Sequence, residues 1–402
     1  MDHSIPNIER MLNARSDFPA LERWTYLDLG GRGVLSRTVR AAIDAHLDER
    51  TFNGGDKELM FRRTEAVRST FAQLINASAD EVAYTKNVSD GLNMVATGLE
   101  WKPGDNVIAC SDLEHPNNVY PWLNQARNGL TLRPIPHRQG HMPVDEMIAA
   151  IDDRTRVLTA STVTFSPGFR TDMEKLGRAC RARNVLFLVD AAQSAGVLDI
   201  DVERSAIDAL SVSTQKGLLG LYGMGFLYIR KQWAEQMKPA YLARFGVDLG
   251  DSDAHESDVG DASFAFMPAA RRFDLGNYNY IAIAAAEASL GFLQNLGIRN
   301  IEDYTVGLAH ALAKGLIELG YPVCGGAPGA HVGHTVTVGQ YGSGGDKATS
   351  DEKMNRFYHH LLENRVKLSM RRGVLRFSLH AYNNMDDVNR VLELARGLAG
   401  RH

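Results

Sequence analysis

Residues 185–230, VLFLVDAAQSAGVLDIDVERSAIDALSVSTQKGLLGLYGMGFLYIR, decide the fold. Val185-Leu186-Phe187-Leu188-Val189 is an unbroken apolar run, the pattern of a strand buried on both faces of a parallel sheet, and Asp190 closes it. Ala209-Leu210-Ser211-Val212 predicts the next strand, which runs into Ser213-Thr214-Gln215-Lys216, and Gly225 to Ile229 predicts a third. Polar side chains sit where strands stop. In open α/β sheets ligands bind in the crevice beyond the carboxyl ends of the strands, so Asp190 and Lys216 are placed to meet there.

That pairing suits a particular chemistry. Lysine forms a Schiff base with an aldehyde, and pyridoxal phosphate needs a carboxylate at its pyridine nitrogen to keep the ring protonated as an electron sink. Gln193, just beyond the acid, could donate to the ring's phenolic oxygen. The same spacing also reads as a surface lysine and a capping aspartate.

VDAAQSAG followed by STQKGLLGLYGMGFLY resembles the core of the class V aminotransferase-like, fold-type I pyridoxal phosphate enzymes. That group includes cysteine desulfurases, isopenicillin-epimerase-like proteins, kynureninases and C–S lyases. The similarity runs from about Tyr26 to about Leu398. It implies an N-terminal arm over 1–17, a large cofactor-binding domain over 18–280 and a smaller C-terminal α+β domain over 281–402. The large domain is expected to hold a mainly parallel seven-stranded sheet flanked by helices. Lys216 would carry the cofactor, Asp190 pair with the pyridinium and Gln193 touch the ring oxygen, with Ser213 and Gln215 beside them. Many relatives have histidine where Gln215 stands; an amide still donates to phosphate but does no acid–base work.

Further stretches extend the resemblance. In VAYTKNVSDGLNMVATGL, Val82–Leu99, a strand turns into a helix that starts near Asp90. A helix N-terminus offers free N–H groups and partial positive charge to a phosphate. The resemblance puts the cofactor phosphate on the backbone of Val88 and on Ser89, which taken alone is a helix N-cap. SDLEHPNNVYPW matches the frame E-H-x-x-N-x-x-P-W, in which His115 stacks on the ring within reach of the α-carbon proton. Ser161 to Gly168 lies where relatives contact the ring, with no residue singled out. In RFDLGNYNY, Asn277 stands where relatives use threonine to reach the neighbouring subunit's phosphate, the basis for expecting a homodimer. VKLSMRRGVLRFSLHAYNN contains R-x-x-L-R-x-S-x-H-x-Y-N, which assigns Arg376 to the substrate α-carboxylate; a structural ion pair is the alternative. Arg32, in the Gly30-Gly31-Arg32-Gly33 turn, is a candidate for a substrate anion or a solvated turn residue. With Arg371 and Arg372 it hints at a second anionic group.

Composition narrows the function classes. The chain has 402 residues, 44 basic and 48 acidic, net −4, which gives no electrostatic case for nucleic acid or an anionic membrane. No stretch approaches the ~18 uninterrupted apolar residues of a membrane span, and the polar N-terminus reads as neither secretory signal nor transit peptide. A cytoplasmic location is the expectation. Three scattered cysteines make neither a disulfide framework nor a zinc ribbon, and the histidine pairs lack partners at ligand spacing, so no metal is expected. Thr171 and Glu174 read as the capping box of a helix carrying Met173, Leu176 and Cys180. Residues 244–271, acidic and glycine-rich, read as a loop near the site mouth or a surface insertion.

Proton removal at the α-carbon opens onto transamination, β-elimination by a C–S lyase, or epimerisation, with the aminotransferase first in order. A cysteine desulfurase comes last, because no cysteine follows Cys324 to act as persulfide nucleophile. A catalytically silent binding protein of the same fold is the contrasting class, disfavoured by the joint presence of Lys216, Asp190, His115 and Arg376.

Overall fold

The computed structural model describes residues 4–250 and 264–399. Seven strands form the main sheet: β1 Val82–Thr85, β2 Asn106–Ala109, β3 Thr131–Pro134, β4 Thr155–Ser161, β5 Leu186–Asp190, β6 Ala209–Ser213 and β7 Gly225–Ile229. Their order is β1-β7-β6-β5-β4-β2-β3, parallel except for β7, which runs antiparallel to both neighbours. Every residue of β5, β6 and β7 is buried, which is why these strands read as apolar runs without alternation. Phe71 from the Lys57–Leu74 helix stacks on Phe226 of β7 at 4.1 Å between ring centres, fixing that helix to the sheet. Fully burying such a side chain is worth about 1.5–3 kcal/mol.

A second cluster of buried side chains surrounds an antiparallel sheet of β8 Thr335–Val338, β9 Ser369–Arg371 and β10 Val374–Ser378, ordered β8-β10-β9. The helices Ile298–Glu318, Glu352–Glu363 and Met385–Ala399 supply its apolar faces. The segment after the first helix also reaches this region: Thr25–Tyr26 pairs in parallel with Val366–Lys367, and Asp28 bridges to Ser378. The first helix, Ser4–Arg15, is tied to the last by Arg15 and Asp387 at 2.7 Å.

Local readings need three corrections. The Met173–Ala182 helix is capped by Asp172, which accepts from the Lys175 N–H, and not by Thr171. Its stripe does bury Leu176 and Cys180. The helix after β1 begins at Val88, earlier than expected, and its cap is Asn87, whose side chain accepts from the Asp90 N–H; Ser89 lies inside the first turn. The sequence predicts a single strand over Val366 to Ser369, but the structure splits it into Val366–Lys367 and β9, which pair with different partners. Of the acidic loop, residues 251–263 lie outside the described residues, while its flanks Val247–Asp248 and Ala265–Phe266 pair as antiparallel strands.

Candidate active site

The carboxyl ends of β4, β5 and β6 open into a cavity of about 450 Å³, lined by Ser161, Asp190 and Ser213 from those ends. Val88, Ser89, His115, Gln193, Gln215 and Lys216 line the same cavity, so one chamber gathers most of the residues the sequence singles out.

Asp190 is buried, and its Oδ1 accepts from the Ala192 N–H at 2.9 Å. Burial pushes its carboxyl up, while that hydrogen bond and the Lys216 ammonium pull it back. No cation among the described residues forms an ion pair with it within 4.0 Å. The Lys216 ammonium is pushed down to about 8 by burial, against the pull of Asp190 and with the help of Arg376 and Arg371. A lysine of this kind is partly neutral near pH 7.5.

His115 is lowered to about 4 by burial and by the cations Lys216, Arg372, Arg371 and Arg376. It is therefore a neutral ring. The Asn117 N–H donates to its Nδ1 at 3.1 Å, which leaves the ring proton on Nε2. Phe165 meets its edge at 4.9 Å between ring centres.

Beneath the ring loop lies a carboxyl that sequence reading left without a role. Glu114 is fully buried; its oxygens accept from the Ser161 N–H at 2.8 Å, from Asn118 Nδ2 at 2.9 Å and from the Ser161 hydroxyl. Burial, and then the charge of Asp190, push it up to about 7. Ser161, Phe165, Lys86, Asn117 and Tyr222 also line the cavity without having been singled out. For Ser161 a signal existed, since it ends β4 in register with Asp190 on β5.

At the helix start, the Asn87 side chain takes the Asp90 N–H, while Val88 and Ser89 have no intrahelical acceptor and face the cavity. Gln193 already donates through Nε2 to the Gly30 carbonyl at 3.3 Å. Asn277 is not brought into this chamber. It lines an adjoining cavity that shares Lys86 and Gly223 with the first, and it is exposed, with a φ of 44°.

The glycine-rich turn lies against the lysine segment and Arg376, and neither Arg32 nor Arg376 lines the cavity itself. The Gly33 N–H donates to the Gln215 carbonyl at 2.8 Å, and a Cβ at Gly30 would sit 2.8 Å from the Arg376 guanidinium carbon. A Cβ at Gly33 would lie 2.5 Å from the Lys216 carbonyl oxygen, so the close approach at both positions needs glycine. Arg32 itself is exposed. Arg376 is buried, with Nε on Ser369 Oγ at 3.2 Å, one terminal nitrogen on the Phe165 carbonyl at 3.0 Å, and its other terminal nitrogen without a partner. No carboxylate forms an ion pair with it among the described residues, and burial lowers it to about 10. An unpaired buried guanidinium beside the lysine is a poor structural element and a good carboxylate receptor.

Comparison with known proteins decides the family. Residues 55–391 match the family model described as Aminotransferase class-V. The chain belongs to that family. The uncharacterized aminotransferase YcbU of Bacillus subtilis is 29% identical over 379 residues, covering 94% of this chain and 95% of that one. A probable cysteine desulfurase of Methanothermobacter thermautotrophicus is 28% identical over 404 residues, covering 97% and 98%. Among solved structures, the apo cysteine desulfurase from Thermococcus onnurineus superposes with a TM-score of 0.82 at 23% identity, covering 96% of this chain and 98% of that one. The cystine C-S lyase C-DES gives 0.80 at 23%, covering 94% and 99%. The fold of this class V chain is the fold-type I α/β architecture, and its cofactor is pyridoxal phosphate. The chamber fits that group by its donor set: a buried carboxylate without a cation, free N–H groups at a helix start, and a lysine on the wall.

Proposed function

We propose that this chain is a pyridoxal phosphate-dependent aminotransferase acting at the α-carbon of an amino acid, working in the cytoplasm as a homodimer. The observation that carries the reading is the buried guanidinium of Arg376, with one terminal nitrogen unpartnered and its charge reaching Lys216. Lys216 would hold the cofactor's aldehyde, Asp190 its ring nitrogen, and the Val88 and Ser89 amides with Gln215 its phosphate. Gln193 and Ser213 would line the ring, and Asn277 would reach across to the second copy. When bound, the cofactor supplies the electron sink for the α-carbon.

The protein's own residues do the rest. Arg376 receives the α-carboxylate through its free nitrogen, and that grip sets the bond at the α-carbon that stands to be broken. Lys216, once it no longer holds the aldehyde, is a free amine depressed toward neutrality and would take the α-proton and pass it on. His115, neutral, would offer its Nε2 proton to the cofactor or substrate in the cavity it lines without adding charge. A cationic ring nitrogen placed against Asp190 would hold that acid ionised in spite of its burial. Arg32, exposed on the glycine turn, would meet a substrate anion.

Thiol chemistry has no support in the chamber. None of the three cysteines lines it, and burial pushes each thiol up, Cys110 to about 12. A thiolate nucleophile therefore does not face the substrate. The homodimer is supported by an apolar lip: Tyr222, 60% exposed, and Leu275, 41% exposed, stand on the two adjoining cavities. No single helix among the described residues is long and apolar enough to cross a membrane. The proposed organisation is an arm over 1–17, a cofactor domain over 18–280 and a smaller domain over 281–402.

The test is the near-visible absorption of the purified protein during addition of amino acids, with pyruvate, ammonia and sulfide assayed in parallel. Bleaching that an oxo acid reverses is the transaminase result. Pyruvate and ammonia without lasting bleaching would replace the reading by an eliminating C–S lyase. Lys216→Ala is expected to lose at least 10³-fold in turnover; unchanged turnover refutes the assignment.

A further inference from the structure

The sequence brings three arginines together near the substrate end, and the structure separates their duties. Arg372 is committed: its guanidinium donates to the Asp112 carbonyl, to the Tyr341 hydroxyl at 2.9 Å and to the Glu114 carbonyl at 3.1 Å. It staples the C-terminal sheet to the loop that carries His115. Arg376 is the buried receptor described above. Arg371 has neither duty. Its guanidinium donates only to the carbonyl of its own neighbour Met370, at 2.7 Å, and no carboxylate among the described residues lies within 4.0 Å of it.

Strand geometry puts Arg371 on the sheet face that carries Arg376. On β9, side chains two apart share a face, so Arg371 projects on the side of Ser369. Ser369 is paired directly with Arg376 on β10 and touches its Nε. Arg371 therefore stands diagonally across the strand pair from Arg376, at a backbone separation of about 7–8 Å. Its charge reaches Lys216, His115 and Arg376, and depresses all three. The acids whose charge reaches Arg376 in return are Asp28 and Asp346, and neither pairs with Arg371. A half-buried guanidinium without a counter-charge, beside two other cations, calls for an anion from outside the chain.

We infer that Arg371 binds a second carboxylate on the substrate, making dicarboxylic amino acids the preferred class. The inference rests on the reading that Arg376 takes the α-carboxylate. Two planar forks on one sheet face, set diagonally, match two carboxylates on one short carbon chain. Arg32 is exposed on the Gly30–Gly33 turn and is not needed for this contact.

The experiment titrates the holoenzyme with the unreactive acids succinate and glutarate, and with propionate and butyrate, following the cofactor's absorption. The wild type is expected to bind the dicarboxylates at least tenfold more tightly. Arg371→Gln should lose that preference by at least tenfold, Arg371→Lys should retain part of it, and Arg376→Gln should weaken both classes. In turnover, Arg371→Gln should lose at least tenfold more kcat/KM with aspartate or glutamate than with alanine. Equal binding of both classes by the wild type overturns the inference, whatever the variants do, as does equal weakening of both classes by Arg371→Gln. If Arg376→Gln leaves monocarboxylate binding unchanged, the reading of Arg376 fails, and that failure is visible separately.

Discussion

A single methyl group at Gly33 tests how rigidly the glycine turn sets the lysine. The Gly33 N–H is hydrogen-bonded to the Gln215 carbonyl, and a Cβ added at Gly33 would lie 2.5 Å from the Lys216 carbonyl oxygen and 2.9 Å from a Leu219 methyl. The carbonyl is backbone and cannot rotate away. To reach the 3.4 Å at which ordinary van der Waals contact begins, the turn and the lysine segment must part by about 0.9 Å. A misplacement of about 1 Å in a positioned group costs roughly 10²-fold in rate, and overpacking of this kind costs about 1–3 kcal/mol of stability. Gly33→Ala is therefore expected to lower kcat by about 10²-fold. Steady-state turnover measures the first effect, and thermal unfolding with the near-visible spectrum establishes that the variant is folded and loaded. A folded, loaded Gly33→Ala enzyme with kcat within twofold of wild type would refute the idea that this turn positions Lys216.

The other predictions address neighbouring contacts. Gly30→Ala places its methyl 2.8–3.0 Å from three atoms of the Arg376 guanidinium. It should raise KM for the amino acid by about tenfold and change kcat less, as expected for lost carboxylate binding. Glu114 titrates in the folded protein near 7, against an ordinary value of 4.5. Its contribution to stability is present below about 4.5 and is lost as pH rises to about 7, because only the folded state holds the proton across that window. Relative to Glu114→Gln, the wild type should lose on the order of 3 kcal/mol between those limits in urea unfolding, and a flat difference would contradict the raised carboxyl. Asp274→Ala removes the buried one of the two carboxylates on the fully buried Arg68, 2.8 Å away, leaving only the more exposed Glu65 at 3.3 Å, and takes away the acceptor for the Tyr84 N–H. It should destabilise the fold by about 3–5 kcal/mol in the same assay.

The sequence by itself determined the sheet core and named most of the side chains that gather in the chamber. The runs at 186–190, 209–213 and 225–229 are buried on every residue, so no alternation competes with the strand signal. Strand position puts Asp190 and Lys216 near the crevice at the sheet's edge, but their spacing alone also reads as a surface lysine and a capping aspartate; the resemblance of VDAAQSAG and STQKGLLGLYGMGFLY to class V enzymes is what gave them a role. Caps were less so. Asp172 and Asn87, and not Thr171 and Ser89, hold their helices, because adjacent polar residues offer the backbone nearly equivalent acceptors and tertiary packing picks one.

What only the tertiary structure decided is the division of labour among residues far apart in the chain. Arg371, Arg372 and Arg376 are indistinguishable as residue types. One is used up on carbonyls of the 112–114 loop, one lies buried with a free nitrogen, and one stands half-buried without a counter-charge. The Glu114 carboxyl acquires its raised value from burial and from Asp190, a residue on another strand. The Gly30–Gly33 turn earns its glycines from contacts with Arg376 and Lys216. Local sequence sets which groups are available, while the spacing between charges and the water left around them arises only when the chain closes on itself, and those two quantities set what each group can do.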